Sequence, residues 1–190
     1  MIYASSSSVY GGNKKIPFSE SDNVDSPISI YAASKKANEL MAYSYNHLFD
    51  IRSTGLRFFT VYGPWGRPDM AMYIFARKIL NGEPIRVFNH GDMMRDFTFI
   101  DDIINGIVSS LKNNFNYEVF NLGNNKSEDL MKVVSIIEKK IGKKAIIQYE
   151  PMQPGDVKKT YADIDRSKIK LGYLPATNIE KGINIFLDWY

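Results

Sequence analysis

The chain has 190 residues, 44% hydrophobic and 24% charged, the proportions of an ordinary globular protein with one substantial core and not of a disordered chain. Its 24 basic and 21 acidic residues leave a net charge of +3, too slight to point to nucleic acid. With no cysteine, only two histidines (His47 and His90) and no run near the ~18 apolar residues of a membrane helix, neither disulfides, a metal nor a membrane is expected.

Ile2-Tyr3-Ala4 is short and apolar and runs into serines, which suits a buried parallel strand whose carboxyl end opens toward a ligand. No basic and apolar leader precedes it, so a cytoplasmic location is expected. Gly11 to Pro27 is polar and turn-rich. From Ser29 to Phe49, Ile30, Ala33, Ala37, Leu40, Met41, Tyr45 and Leu48 recur at helical spacing and predict one long amphipathic helix. Thr54 to Phe59 reads as a strand and Gly63 to Pro68 as a loop. Ala71 to Leu80 is a predicted helix stopped by Asn81-Gly82, followed by strands at Ile85 to Phe88 and Asp96 to Ile100. Helices are expected at Asp102 to Leu111 and at Ser127 to Ile141, the latter opened by Ser127. A strand at Ala145 to Tyr149 and helices at Asp165 to Leu171 and Ile179 to Tyr190 complete the chain. Lys139, Lys140, Lys143 and Lys144 read as a solvated helix terminus that complements the helix dipole.

Tyr31 and Lys35 bring chemistry to this framework. Four residues apart on a helix, they share one face, so the ammonium can lie beneath the phenol. A neighbouring cation favours the phenolate and draws a group that titrates near pH 10 toward working pH. A serine from the run Ser5 to Ser8 can hydrogen-bond the substrate oxygen that exchanges the proton. Taken alone, the same residues also read as an ordinary tyrosine, a solvated lysine and a turn-capping serine run.

Three segments occur in one order at close intervals: Tyr3-Ala4-Ser5-Ser6-Ser7-Ser8-Val9-Tyr10-Gly11, the Tyr31 to Lys35 pair, and Leu56-Arg57-Phe58-Phe59-Thr60-Val61-Tyr62-Gly63-Pro64. With Arg95 to Asp102, Phe120 to Gly123 and Pro154 to Val157, they make the chain resemble the extended short-chain dehydrogenase/reductase family, in its nucleotide-sugar epimerase branch. Arg57 to Met70 is similar, residue for residue, to the pattern of bacterial UDP-glucuronate 4-epimerases. The resemblance implies an α/β fold: the C-terminal part of a doubly wound Rossmann-like parallel sheet, with a smaller mixed α/β lobe that binds the UDP-sugar. Residues 1–63 would belong to the Rossmann-like domain and residues 64–190 mainly to the lobe, some segments returning to the sheet.

Carried over from the family, Tyr31 is the acid/base, Lys35 lowers its pKa and contacts the nicotinamide ribose of NAD, and Ser6 hydrogen-bonds the reacting hydroxyl. Ser7 and Ser8 would contact the sugar or its carboxylate. Thr60, where relatives acting on neutral sugars have Asn, and Arg67 would recognise a carboxylate, for which a guanidinium fork is suited. Arg67 also reads as an exposed loop residue and Thr60 as a structural hydroxyl. Arg95 is expected on the diphosphate, or in a surface ion pair with Asp96; Asp156 on the uridine ribose; and the backbone around Val87 and Phe88 on the uracil. Gln153 stands where many relatives have Arg, and Arg86 is a possible substitute. Asp101-Asp102 is expected to cap the next helix and order the loop, and Trp65 to pack.

The family's Gly-rich pyrophosphate turn and the acidic residue that follows it are not in the chain, and Gly11-Gly12 is too short a run to serve. The chain therefore reads as the C-terminal part, roughly three-fifths, of a longer enzyme. The expected reaction is NAD-dependent 4-epimerisation of UDP-glucuronate to UDP-galacturonate through a 4-keto sugar. The rival expectations are a UDP-glucose or UDP-N-acetylhexosamine epimerase, and an inactive fragment that only binds UDP-sugar or dimerises. In the family the tyrosine-bearing helix pairs with its copy in a homodimer; here that expectation is weaker, because a second helix of the interface is not in the chain.

Overall fold

The computed structural model describes residues 1–190. Strand β1 (Ile2–Ser6) ends where Ser6 caps a single 3₁₀ turn, Ser7–Tyr10, its Oγ accepting from the Ser8 amide at 3.1 Å. Helix α1 (Ile30–Phe49) starts at Ser29, an extended residue whose side chain accepts from the Ala32 amide, and stops at Asp50 with a φ of 52°. The apolar stripe read from its spacing faces outward: Ile30, Leu40, Met41, Tyr45 and Leu48 are all exposed. Ala32, Glu39, Ala42 and Asn46 are the residues α1 buries. The alanines permit close approach, and the two polar residues tolerate burial because each has several hydrogen-bond partners.

The predicted strand at 54–59 is β2 (Ser53–Phe58), and an unpredicted strand with a different partner, β3 (Thr60–Tyr62), follows one residue later. Helix α2 (Ala71–Asn81) closes on Gly82 at a φ of 69°. Next comes β4 (Ile85–Val87), which stops before Phe88, because Asn89 and His90 turn into the left-handed region. Asp96 falls in neither β5 (Met94–Arg95) nor β6 (Phe97–Phe99), and α3 (Ile100–Lys112) follows directly. Beyond β7 (Tyr117–Leu122) lies β8 (Glu128–Asp129), formed by residues expected in a helix. Asp129, and not Ser127, caps α4 (Leu130–Ile141), while the Ser127 hydroxyl donates to the Thr160 carbonyl. β9 (Ile147–Tyr149), α5 (Asp165–Leu171) and α6 (Ile179–Trp189) complete the order.

Strands β1, β2 and β7 form a parallel sheet in the order β1-β2-β7, which requires crossover connections. β3 pairs with β6 and β4 with β9, both in parallel; β5 pairs with β8 antiparallel. One core, with Val9, Phe18, Leu56, Phe120, Leu122 and Tyr173, surrounds the three-stranded sheet. A second gathers Tyr62, Phe75, Ile79, Phe97, Val133, Ile183 and Phe186 from β3, β6, α2, α4 and α6. The Asp101-Asp102 expectation changes: Asp102 points away from its own helix end, and its carboxylate accepts the amides of Ala176 at 3.1 Å and Thr177 at 3.0 Å. No helix is long and apolar enough to cross a membrane.

Candidate functional site

The carboxyl end of β1 and the first turns of α1 meet at one cavity of about 390 Å³. Ser6, Tyr31 and Lys35 border it together with Phe58, Gly63, Trp65, Arg67 and Met70. Lys35 Nζ lies 5.7 Å from the centre of the Tyr31 ring and donates to the Ala4 carbonyl at 3.1 Å. That bond leaves two of its three N–H donors available. Tyr31 is 53% exposed. Ser6 Oγ donates to Ser8 Oγ at 3.2 Å, so the serine run is bonded within itself. Gly63, at a φ of 141°, forms part of the rim, and a Cβ there would sit 2.5 Å from Ile100 Cγ2. Trp65 is 87% exposed while its ring stands 5.3 Å from that of Trp189, so it packs on one face only.

Behind this cavity lies a buried polar network that the sequence reading passed over. Ser5 Oγ donates to Glu39 Oε1 at 2.6 Å, and Arg57 grips the same carboxylate through Nε at 2.8 Å and Nη2 at 2.9 Å. Arg57 Nη1 donates to the Tyr10 hydroxyl, which donates in turn to Asn121 Oδ1 at 2.7 Å. Burial would raise the Glu39 carboxyl, but the hydrogen bonds and charge of Arg57, with Ser5, hold it below its ordinary value. Burial opposes the Arg57 charge as well, and Glu39 more than compensates. The available signal was Arg57 itself, a charge inside a strand buried along most of its length, which requires a partner.

A second cavity of about 470 Å³ adjoins the first through Met70. Thr60, Asp69, Lys78, Arg86, Phe88, Arg95 and Asp156 border it with apolar residues of α2. A smaller cavity of about 150 Å³, bordered by Ser7, Ser8, Thr60, Arg95 and Asp156, connects it to the serine turn. Thr60 thus stands between the serines and the larger cavity. The Arg95–Asp96 pairing does not form: Arg95 Nη2 donates to Asp156 Oδ1 at 2.6 Å, and Asp96 is fully buried. The Asp96 carboxylate instead accepts the Asn124 amide at 2.6 Å, the Ala162 amide at 3.0 Å and the Thr98 hydroxyl at 3.1 Å. Val87 lies in the second core with its carbonyl taken by the Glu150 amide, so of the Val87-Phe88 pair only Phe88 reaches the cavity. Gln153 is exposed and borders none of the three cavities, whereas Arg86 borders the larger one and donates to Glu150 at 3.1 Å. Arg67 is paired with Asp69 on the surface, where each holds the other in its charged form.

A parallel α/β sheet with a serine, a tyrosine and a lysine at its carboxyl end defines a Rossmann-like protein of the short-chain dehydrogenase type. Residues 1–123 match the NAD dependent epimerase/dehydratase family, and the chain belongs to it. An uncharacterised protein of Methanocaldococcus jannaschii is 56% identical over 190 residues, covering 100% of this chain and 58% of its own length. A probable UDP-glucuronate 4-epimerase of Rhizobium meliloti is 43% identical over 209 residues, covering 100% of this chain and 61% of its own. Among solved structures, the UDP-glucuronic acid 4-epimerase of Bacillus cereus in complex with UDP-glucuronic acid and NAD superposes with a TM-score of 0.94 at 36% identity. That match covers 99% of this chain and 60% of the Bacillus chain. The chain therefore spans about three-fifths of the length of these relatives.

Proposed function

We propose that the chain forms the proton-transfer and UDP-sugar-binding part of an NAD-dependent 4-epimerase that interconverts UDP-glucuronate and UDP-galacturonate. The observation that carries this reading is the continuity of the three cavities. Ser6, Tyr31, Lys35 and Arg67 border one end, Met70 borders both that cavity and the next, and Thr60, Arg95 and Asp156 border the part large enough for a nucleotide. The Rhizobium relative and the ligands of the Bacillus structure support the choice of sugar.

In this assignment Ser6 donates a hydrogen bond to the sugar C4 oxygen, and Tyr31 acts as the base that removes the proton from that hydroxyl. The Lys35 ammonium, beside the Tyr31 ring, holds the nicotinamide ribose with its remaining donors. The donors at the cavity fit that end of the cofactor: Tyr31 faces the cavity and Lys35 has bonds to spare. The chemistry that NAD brings when bound is reversible hydride acceptance at C4, which leaves a transient 4-keto sugar. Tyr31 returns its proton to the same oxygen after the sugar has turned over, and C4 is inverted. Arg67 and Thr60 receive the carboxylate, Ser7 and Ser8 the sugar hydroxyls, Arg95 the diphosphate and Asp156 the ribose.

Residues 1–63 go with the dinucleotide side of the site and residues 64–190 mainly with the sugar-nucleotide lobe, β7 returning to the sheet. The outward apolar stripe of α1 is assigned to a two-fold contact between copies, and the location to the cytoplasm. The test joins the chain to the part of the Methanocaldococcus relative that it does not match and follows UDP-glucuronate with NAD by NMR. Appearance of the C4 epimer is expected. Equal turnover of UDP-glucose would move the assignment to neutral sugars, and binding without turnover would reduce the chain to a UDP-sugar-binding module.

A further inference from the structure

Arg67 and Asp69 lie two residues apart between β3 and α2, joined side-on: Arg67 Nε donates to Asp69 Oδ1 at 3.1 Å and Nη2 to Oδ2 at 2.5 Å. The donors that a sugar carboxylate would take are thus already held by a carboxylate of the chain. The pair stands where two cavities meet, since Arg67 borders the one with Ser6 and Tyr31, Asp69 the nucleotide-sized one, and the next residue, Met70, borders both.

Resting on the assignment of Arg67 to the substrate carboxylate, we propose that Asp69 is an internal competitor for that carboxylate and sets the selectivity between acidic and neutral UDP-sugars. An acidic sugar exchanges with Asp69 carboxylate for carboxylate, so Arg67 keeps a bidentate partner throughout. A neutral sugar offers no group for this exchange, leaves the pair intact and gains nothing from Arg67. The preference for the acidic sugar is therefore weaker than an unoccupied Arg67 would give. For an ion pair this exposed, the reduction is up to about five-fold. Asp69 also places a negative charge in the cavity assigned to the diphosphate, where it disfavours anionic ligands whether or not Arg67 is present, so comparison with the Arg67→Ala background isolates the exchange.

The experiment is calorimetric titration of the 190-residue chain with UDP-glucuronate, UDP-glucose and UDP, for the unmodified protein, Asp69→Asn, Arg67→Ala and the double variant. Asp69→Asn is expected to raise the ratio of UDP-glucuronate to UDP-glucose affinity by about two- to five-fold. It is expected to leave the ratio unchanged when Arg67→Ala is already present. A ratio unmoved or lowered by Asp69→Asn, while Arg67→Ala lowers it, would overturn the competitor role and leave the carboxylate assignment standing. A ratio indifferent to Arg67→Ala would overturn the assignment and the competitor role together.

Discussion

Arg57 on β2 and Glu39 on α1 form a buried two-pronged ion pair, at 2.8 Å and 2.9 Å, that fixes the tyrosine-bearing helix to the sheet. The same carboxylate takes the hydroxyl of Ser5, the neighbour of Ser6, so one side chain relates the helix to the serine turn. Glu39→Gln removes the charge and leaves a buried guanidinium uncompensated, at an expected cost of about 3–5 kcal/mol. Urea unfolding measures it, and a loss under about 1 kcal/mol would contradict the role given to this pair. Replacing both partners, Glu39→Leu with Arg57→Met, is expected to recover at least half of the loss, because no lone charge stays inside.

Asp96 makes a prediction about pH. Burial pushes its carboxyl up to about 6, against the pull of its hydrogen bonds, from an ordinary value of 3.8. A carboxyl whose pKa is raised by folding contributes stability that is fully present below pH 3.8 and is lost as pH rises through about 6. The change amounts to about 3 kcal/mol. Denaturant titrations between pH 4 and pH 7 should show this decline superimposed on the other groups, and Asp96→Asn should remove it. An identical pH slope in the variant would exclude Asp96 as the source.

Tyr31→Phe tests the proton transfer. Tyr31 is half-exposed, borders the cavity and makes no side-chain hydrogen bond to the rest of the chain, so the variant should fold with unchanged stability and bind UDP-glucuronate within about two-fold of the original. Turnover in the joined enzyme should fall by about 10²–10⁴. Retained turnover would mean that another group moves the proton.

Asp102→Ala leaves the amides of Ala176 and Thr177 without their acceptor, at an expected cost of about 2 kcal/mol. Hydrogen exchange locates the effect: both amides should lose protection, while the α3 amides keep theirs. Loss of protection confined to the first turn of α3 would restore the capping role expected from the sequence.

Much of this fold is legible in the chain because local rules operate without competition. Ser29 starts a helix, Gly82 ends one, and the expected helices at Asp165 to Leu171 and Ile179 to Tyr190 form almost to the residue, whereas β7 went unread because Glu118 and Asn121 interrupt its apolar pattern. The outward direction of the α1 stripe was not legible, because periodicity reports that a helix has two faces and not which one meets the sheet. That choice falls to Glu39, whose partners Ser5 and Arg57 come from other elements. Asp129 displaced Ser127 as a cap for a similar reason, since Ser127 is engaged with Thr160, 33 residues away. At the site, Tyr31, Lys35 and Ser6 were recognisable from order and spacing, whereas the pairing of Arg95 with Asp156 and of Arg67 with Asp69 depends on where loops fold back.

Only Phe59 separates β2, in the three-stranded sheet, from β3, which pairs with β6 beside the second core. Phe59 itself is buried, with its amide bonded to the Leu122 carbonyl. A single residue thus joins the two sheets, held at this seam by its own burial and its amide bond. On the proposed assignment, this seam sets the spacing between the cavity that holds Ser6, Tyr31 and Lys35 and the cavity given to the nucleotide. The surface segment from Gly63 to Met70, which carries Trp65, Arg67 and Asp69, continues directly from β3, so the rim of both cavities is built onto the same seam.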